Sequence, residues 1–289
     1  MTTEFWTNTI WYLLLSTLSL FVFLIAVHKA RNRKRTVSFY LALIGAVYYF
    51  EAFIMFYFGA YEYYPKIIGC PYYENLFGNF FSQASVCAVA LLIAVLNIPF
   101  YWSIIFAGFY MIIEELFILI GIYKHIWYQT WMTFAGLILL FWSSKKWYGK
   151  IIQDSNNFLH YVSLFWGTFG VFGPPAFLVI SLTGLSEFRF TGLGLSLNPS
   201  MAVQPQLMNG WGFFIYCMPQ SIIIILLVQS KLSRLLKTLI IFGLYIPIYA
   251  LVKLNAIYIK EGCFMLVASI LIIGMYLSTC FINKLLHAE

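Results

Sequence analysis

Charged side chains are scarce in this sequence of 289 residues. Asp, Glu, Lys and Arg together make up 9% of it, whereas AVILMFWYC residues make up 62%. A soluble domain carries about 25% charged and about 45–50% apolar residues, so the composition excludes an ordinary water-soluble domain. The apolar runs are continuous, without alternation of apolar and polar residues, which also excludes a β-barrel. The bilayer is therefore the expected solvent.

Motifs for binding a metal, a nucleotide or a redox cofactor are missing. The cysteines have no CxxC spacing, and the sequence has no HExxH, GxSxG, P-loop or zinc-ligand pattern. We therefore expect no metal and no cofactor. The cysteines are expected to be small core residues, at positions Cys70, Cys87, Cys217, Cys263 and Cys280.

Apolar runs of about 20 residues, the length that crosses a bilayer, recur along the chain. We predict an all-α fold, a polytopic transmembrane helical bundle of about nine spans, with boundaries good to a few residues. The spans lie at about 9–28, 37–59, 79–97, 101–122, 128–144, 158–183, 207–228, 238–258 and 262–283. Residues 1–150 are predicted to form a five-span module with a polar cluster in its outer half. Residues 151–289 are predicted to form a four-span module with proline-broken helices, and we identify no internal repeat.

Positive charge is concentrated in alternate connections of this arrangement. Twelve basic residues fall on one side: Lys29, Arg31, Arg33, Lys34, Arg35, Lys145, Lys146, Lys150, Lys231, Arg234, Lys237 and Lys284. Four fall on the other side: Lys66, Lys124, Arg189 and Lys260. Basic loops favour the cytoplasmic side, so we expect the N-terminus outside and the C-terminus inside, in a multi-pass protein of the cell membrane. This bias accounts for the net charge of +7, and no nucleic-acid partner is expected.

Ionisable residues inside the predicted spans form a cluster in the outer half of the membrane. Each costs about 2.5–3.5 kcal/mol at that depth, so each needs a reason. We predict Glu51, Glu114 and Glu115 as catalytic carboxylates of one outer-leaflet pocket. The adjacent pair lies about 100° apart around its helix, so the two side chains need not face the same way. Residues predicted to bind its substrate are Asn79, Gln83, Trp127, Trp131, Tyr249 and Lys253. The alternative is a polar clasp between helices that carries no chemistry.

Prolines interrupt three successive spans of the second module. They are Pro174-Pro175, Pro219 and Pro247. Proline frees a backbone carbonyl, so these breaks indicate either a cavity or harmless kinks with close helix packing. His125 lies among aromatic residues near the outer interface, and we expect it to be an interfacial residue rather than a catalyst.

Several short segments between residues 50 and 148 carry a resemblance to a known family. They are Phe50-Glu51, Tyr64-Pro65, Asn79 through Gln83, Glu114-Glu115-Leu116-Phe117, Gly121-Ile122-Tyr123-Lys124-His125, Trp127-Tyr128 with Thr130, and Lys145-Lys146-Trp147-Tyr148. In these segments the chain resembles an uncharacterised family of small multi-span membrane proteins of spore-forming Gram-positive bacteria. The resemblance implies a membrane bundle and brings no function with it.

At the level of the fold, the chain is also similar to integral-membrane terpene and lycopene cyclases. In those bundles, intramembrane carboxylic acids protonate an isoprenoid and aromatic walls stabilise the cation. The likeness implies that Glu51 and either Glu114 or Glu115 act as acid and base. The sequence departs from the lycopene-cyclase pattern, because the glutamate pair follows Met-Ile-Ile at 111–113 and has no preceding proline.

Three functions remain open at this point. The first is an outer-leaflet pocket that binds or converts a lipophilic molecule, such as an isoprenoid, by carboxylate acid–base chemistry. The second is a proton- or cation-coupled transporter or channel, in which the proline-broken spans move. The third is a non-catalytic receptor or assembly subunit. Membrane lipids and a lipophilic small molecule are the expected partners, whereas the sequence leaves open whether the protein is an enzyme and which oligomer it forms.

Overall fold

The computed structural model describes residues 4–153, 157–189 and 205–287, which fold into a helical bundle with two small sheets. The helices are α1 (Ile10–Lys29), α2 (Arg33–Glu51), α3 (Pro71–Val95), α4 (Phe100–Leu119), α5 (Thr130–Ile152), α6 (Asn157–Leu182), α7 (Pro205–Gln229), α8 (Arg234–Gly243), α9 (Tyr245–Lys253), α10 (Phe264–Ser269) and α11 (Met275–Leu286). Wider π-helical turns extend α1 at Phe5–Thr9 and α2 at Ala52–Tyr57, and a third joins α10 to α11 at Ile270–Gly274. The strands are β1 (Tyr61–Tyr63), β2 (Tyr123–His125), β3 (Ser186–Phe188) and β4 (Ile257–Ile259).

Eight helical segments in the described part of the chain are long and apolar enough to cross a membrane. By length and composition the chain is therefore a multi-pass membrane protein, as the sequence predicts. The long helix outside this set is α5, whose second half carries Ser143, Ser144, Lys145 and Lys146 and is correspondingly less apolar. Each of the nine predicted spans overlaps one helical segment; α8–α9 and α10–α11 each correspond to one of them.

The strands were not expected from the sequence, and they join the ends of four helices. β1 pairs with β2, and β3 pairs with β4, both antiparallel. Each strand follows a helix end at which one residue has positive φ, a conformation that glycine and asparagine adopt most readily. Those residues are Gly59, Gly121, Gly184 and Asn255.

Hydrogen bonds around the two sheets repeat each other. The Tyr64 N–H donates to the Ile122 carbonyl at 2.9 Å, and the Arg189 N–H donates to the Ala256 carbonyl at 2.8 Å. Both bonds extend their sheet by one rung beyond the last strand pair. The two sheets are therefore built the same way, on helices that follow in the same order.

Asparagines near the starts of α3 and α7 anchor the sheets in the same manner. The Asn75 Oδ1 atom accepts from the Tyr63 N–H, and the Asn209 Oδ1 atom accepts from the Phe188 N–H, both at 2.9 Å. These matches define two equivalent units of four helical segments each, with α1 added to the first. The segments are α2, α3, α4 and α5 in the first unit and α6, α7, α8–α9 and α10–α11 in the second. The division at 150/151 predicted from the sequence lies at the end of α5, close to the join between them. The repeat itself went unrecognised in the sequence, because few of its equivalent positions carry the same residue.

The units meet where α2 packs on α6. A Cβ built on Gly45 would overlap the Trp166 carbonyl oxygen, and one built on Gly170 would overlap that of Leu41. The added Cβ would also lie 2.7 Å from the Gly170 nitrogen in the first case and 2.9 Å from the Gly45 nitrogen in the second. The contact is reciprocal, which is the geometry that a two-fold relation between the units requires.

Candidate functional site

A cavity of about 340 Å³ lies inside the first unit, near the end of the bundle that carries β1 and β2. We call it the carboxylate cavity. Its walls come from α1 to α5 and from the first sheet. The polar groups that line it are Glu51, Gln83, Glu114, Tyr61, Tyr63, Ser82, Tyr110, Tyr123, Tyr128, Thr133 and Ser143.

Glu51 lies at the last residue of α2, immediately before the π-helical turn. Its Oε2 atom is buried and has no hydrogen-bond partner among the described residues. Gln83 on α3 and Glu114 on α4 line the same cavity as this carboxyl group. A buried oxygen without a partner is costly in a purely structural clasp, whereas a ligand group can satisfy it.

Glu114 lies between the cavity and the first sheet. Its Oε1 atom lies 2.6 Å from the His125 Nε2 atom. The Thr133 hydroxyl on α5 donates to the Tyr128 hydroxyl at 3.3 Å. The Glu114 side chain is 10% exposed and the His125 side chain 20% exposed. Glu114 therefore has one side on the cavity and the other on a histidine nearer the surface.

Glu115 points away from the cavity, as expected for the neighbour of Glu114 on a helix. It is exposed, and one of its oxygens accepts a hydrogen bond from the Thr130 hydroxyl at the start of α5. Of the three carboxylates predicted to be catalytic, the structure thus brings Glu51 and Glu114 together and leaves Glu115 outside.

Two residues on α3 were predicted to bind substrate, and they face different spaces. Gln83 lines the carboxylate cavity, whereas Asn79, one helical turn earlier, faces a smaller space of about 20 Å³ between the units. The Asn79 Nδ2 atom lies 3.6 Å from the Met55 sulfur. Asn79 thus belongs to the contact between units and not to the cavity.

Trp127 and Trp131 lie on the rim and are exposed by 46% and 58%. The Trp127 indole N–H donates to the Phe58 carbonyl at 2.8 Å, and that of Trp131 donates to the Gln129 side chain at 2.9 Å. Both rings have the amphipathic placement typical of the membrane interface. Neither lines the cavity.

Lys253 and Tyr249 lie in the second unit, at the end of α9. The Lys253 ammonium lies 5.4 Å from the centre of the Tyr249 ring, and both residues are exposed. No carboxylate of the described residues lies within 4.0 Å of this ammonium, so the structure does not bring it into the polar cluster. It remains outside the carboxylate cavity.

Tyrosines from the first sheet form one wall of the cavity. The rings of Tyr63 and Tyr123 lie 4.7 Å apart between centres. Burial raises the pKa of both phenols well above the ordinary value, with the neighbouring carboxyl groups adding to the shift. Burial likewise raises the pKa of Tyr128 to about 12. The wall therefore presents neutral aromatic rings and hydroxyl groups at physiological pH.

Two apolar residues on the cavity wall also lie on the outside of the bundle. Phe50 on α2 is 67% exposed, and Leu139 on α5 is 63% exposed. In a helical bundle whose outer surface meets lipid, this side of the cavity faces the acyl chains. The cavity thus holds a few polar groups within a mostly apolar lining, and its wall is apolar at the outer surface of the bundle.

The second unit repeats the helix order and the sheet of the first but has apolar residues at the positions of the polar cluster. Counting from the matched helix ends and asparagines places Ala176 at the position of Glu51, Cys217 at that of Gln83 and Ile248 at that of Glu114. These side chains are 7%, 0% and 0% exposed. Val267 likewise replaces Thr133, and Ile259 replaces His125.

A phenylalanine fills the corresponding interior of the second unit. Phe172 matches Val47, and Gly274 matches Leu140; Val47 and Leu140 both line the carboxylate cavity. A Cβ built on Gly274 would lie 2.8 Å from the Phe172 ring. The same helices therefore pack closely in one unit and enclose polar groups in the other.

The sequence predicts an interfacial His125, whereas the structure also brings its Nε2 atom to 2.6 Å from Glu114 Oε1. The signal that was available is the order of residues after α4, in which Gly121 ends the helix and the chain turns back toward it. Among the described residues no group of three or more His, Cys, Asp or Glu side chains is arranged to hold a metal ion.

Comparison with known proteins adds no family or function. No family model matches the chain, and neither a curated protein nor a solved structure matches it. The resemblances noted in the sequence therefore remain predictions. The class that fold and composition define is a multi-pass, all-helical membrane protein.

Proposed function

We propose that the carboxylate cavity binds a lipophilic molecule of the isoprenoid type and exchanges protons with it through Glu51 and Glu114. The observation that carries this proposal is the difference between the two units. A clasp that the helix order and the sheet required would be needed in both units, yet the second unit repeats both features with Ala176 and Ile248 at these positions. The polar groups of the first unit are therefore available for function.

The walls support a lipophilic ligand. Aliphatic and aromatic side chains make up most of the lining, and Phe50 and Leu139 bring it to the lipid-facing surface. An elongated apolar molecule dissolved in the bilayer meets this side of the cavity without crossing water. Its unsaturated carbons would lie against tyrosine rings, which favour cationic species through their π faces.

The chemistry requires only the two carboxyl groups. A protonated Glu51 would donate its proton to one carbon of a double bond, forming a C–H bond and leaving a carbocation on the neighbouring carbon. Carboxylate Glu114 would take a proton from an adjacent carbon, restoring a double bond. The product is an isomer of the substrate, and one proton has been given and one received.

We also propose the nine-span arrangement with both sheets outside. The basic connections between α1 and α2 and after α5, α7 and α11 lie at the end opposite the sheets, so this end is cytoplasmic by the positive-inside rule. The cavity then lies toward the outer leaflet.

Packing below the cavity favours this function over transport. Between the cavity and the basic end, the facing sides of α2, α3 and α5 carry Phe39, Leu43, Leu91 and Phe141, each at most 1% exposed. A transport pathway needs polar or water-filled continuity at that depth. The cavity instead ends on a close-packed apolar core.

Photolabelling tests the binding site. Purified protein in lipid nanodiscs is irradiated with a diazirine derivative of farnesol, and labelled peptides are identified by mass spectrometry. We expect labels around Phe50, Ile54 and Leu139, displaced by unmodified farnesol. Ile54→Trp should prevent labelling by filling the cavity, whereas the matched control Val179→Trp, at the equivalent position of α6, should not.

Deuterium incorporation tests the chemistry. Farnesol incubated with the protein in D₂O should gain carbon-bound deuterium, and Glu51→Gln should abolish this gain while photolabelling persists. Labelling that is equal in both units, or insensitive to competitor, would contradict the binding site. Labelling without deuterium would contradict the proton transfer, and farnesol-dependent proton uptake into proteoliposomes in its place would favour transport.

A further inference from the structure

His125 occupies a place between the carboxylate cavity and the outer surface. Its Nε2 atom contacts Glu114 Oε1 at 2.6 Å, yet its ring does not line the cavity. Glu114 lines the cavity on its other side. The two side chains thus form a two-member path from the cavity to the rim, with the more exposed member outermost.

The imidazole is held in this position by the first sheet. His125 is the last residue of β2 and pairs in register with Tyr61, and the next residue, Ile126, donates its N–H to the Ala60 carbonyl at 2.9 Å. The rings of Tyr123 and Tyr128 flank the imidazole, with centres 5.1 and 5.8 Å away. Such packing limits the ring to few rotamers, and in the observed one the Nε2 atom is directed at Glu114.

Charged groups around the pair leave Glu114 with one basic neighbour. Among the described residues, His125 alone has a basic nitrogen within 4.0 Å of a Glu114 oxygen. Lys124 precedes it on β2, and its side chain points to the other face of the strand, where it is paired in register with Glu62. Glu115 is turned to Thr130, and Glu51 faces Glu114 across the cavity. The flanking tyrosines are neutral at physiological pH.

The second unit lacks the pair together with the cavity. Ile259 stands at the position of His125 and Ile248 at that of Glu114, while β3 and β4 still form their sheet. The histidine is therefore not a requirement of the strand pairing. Its presence follows that of the polar cavity.

We propose that His125 is a proton-relay residue that connects Glu114 with water at the outer rim. Protonated imidazole gives its Nε2 proton to the Glu114 carboxylate. The ring then rotates toward the rim, where the vacated Nε2 atom takes a proton from a hydronium ion, and rotates back. The reverse sequence removes a proton from Glu114. One proton moves in each step, and no further reactant is needed. This inference rests on the proposed function, since it supplies the route by which the cavity carboxyls are reset.

Infrared spectroscopy measures the relay without a substrate. In nanodiscs transferred from H₂O to D₂O, the carbonyl-stretch band of protonated carboxyl groups shifts as each proton is exchanged, and Glu114→Gln assigns the Glu114 component. At a pH where this component is present, we expect His125→Ala to slow its exchange at least tenfold. Added imidazole should restore the rate, because it can occupy the space left by the side chain. The matched control Lys124→Ala, on the other face of the same strand, should exchange at the wild-type rate.

A second variant keeps the test decisive if His125→Ala folds poorly. His125→Asn retains a hydrogen-bond donor but cannot pass a proton at neutral pH, so it should be folded and slow. Exchange at the wild-type rate in a folded His125 variant would overturn the relay. Slow exchange in His125→Ala that imidazole does not restore would also overturn it. These measurements contain no farnesol, so loss of the relay leaves the photolabelling result unchanged, and failed photolabelling leaves the exchange rates unchanged.

Discussion

Gly45 and Gly170 face each other where α2 and α6 pack, and each leaves no room for a side chain. A Cβ on either glycine would overlap the backbone of the opposite helix. Because the two residues occupy equivalent positions in the two units, the contact marks the local symmetry axis of the bundle. The close approach of backbones through small residues is a common way to join helices in membranes.

Substitution of either glycine by alanine should separate α2 from α6. We expect Gly45→Ala and Gly170→Ala each to destabilise the protein by about 1–3 kcal/mol or more, since overlap with backbone cannot be relieved by a side-chain rotation. Unfolding by SDS titration in mixed micelles measures the effect. Gly108→Ala, at a helical position with open space around it, serves as the control and should be neutral or stabilising by about 0.5–1 kcal/mol.

The asparagines that anchor the sheets should contribute alike. Asn75→Leu and Asn209→Leu each leave a strand N–H without its acceptor, at a cost of about 1–3 kcal/mol where the group is buried. Asn75→Asp and Asn209→Asp retain the acceptor oxygen and should be milder in the same SDS titration. A large loss for one asparagine and none for the other would contradict the equivalence of the two units.

Topology is tested by labelling single cysteines with a membrane-impermeant maleimide in intact cells, in a background without native cysteines. Cysteines placed at Lys34, Lys146 and Arg234 should be protected, and those at Lys66 and Arg189 should react, because basic connections favour the cytoplasm. Permeabilised cells, in which all five positions should react, provide the control. Reaction at Lys146 in intact cells would overturn the nine-span arrangement.

The Tyr128 phenol in the tyrosine wall should ionise at a higher pH than a tyrosine in water. Burial, aided by Glu51 and Glu114, raises the pKa of Tyr128 to about 12 from an ordinary value of 10.0. Since the folded state holds the phenolic proton more tightly, the stability from this group is complete below pH 10 and is lost as the pH rises toward 12. The difference in phenolate absorbance between wild type and Tyr128→Phe should be absent at pH 10.5 and appear near pH 12. A difference at pH 10.5 would place Tyr128 in water.

The helices were predictable from the sequence because apolar runs of bilayer length have few other uses. Glu51 and Glu114 were predictable as partners, since their cost in a membrane demands a reason and their depths agree. Glu115, Asn79 and Lys253 were grouped with them by depth alone, which cannot specify the direction of a side chain. His125 required knowledge of the turn after α4 and of the β1–β2 register. The repeat was not visible in the sequence because equivalent positions, such as Glu51 and Ala176, differ in residue type and polarity.

If the polar cluster serves a binding site, the fold does not depend on it, and the stability of a variant without the cluster measures this. The quadruple variant Glu51→Ala, Gln83→Cys, Glu114→Ile, His125→Ile gives the first unit the residues of the second unit at these positions. Removing buried polar groups as a complete set strands no partner, so the apparent unfolding temperature in nanodiscs should equal or exceed that of the wild type. A variant that aggregates, or that unfolds well below the wild type, would show the cluster to be a structural clasp and would contradict the account.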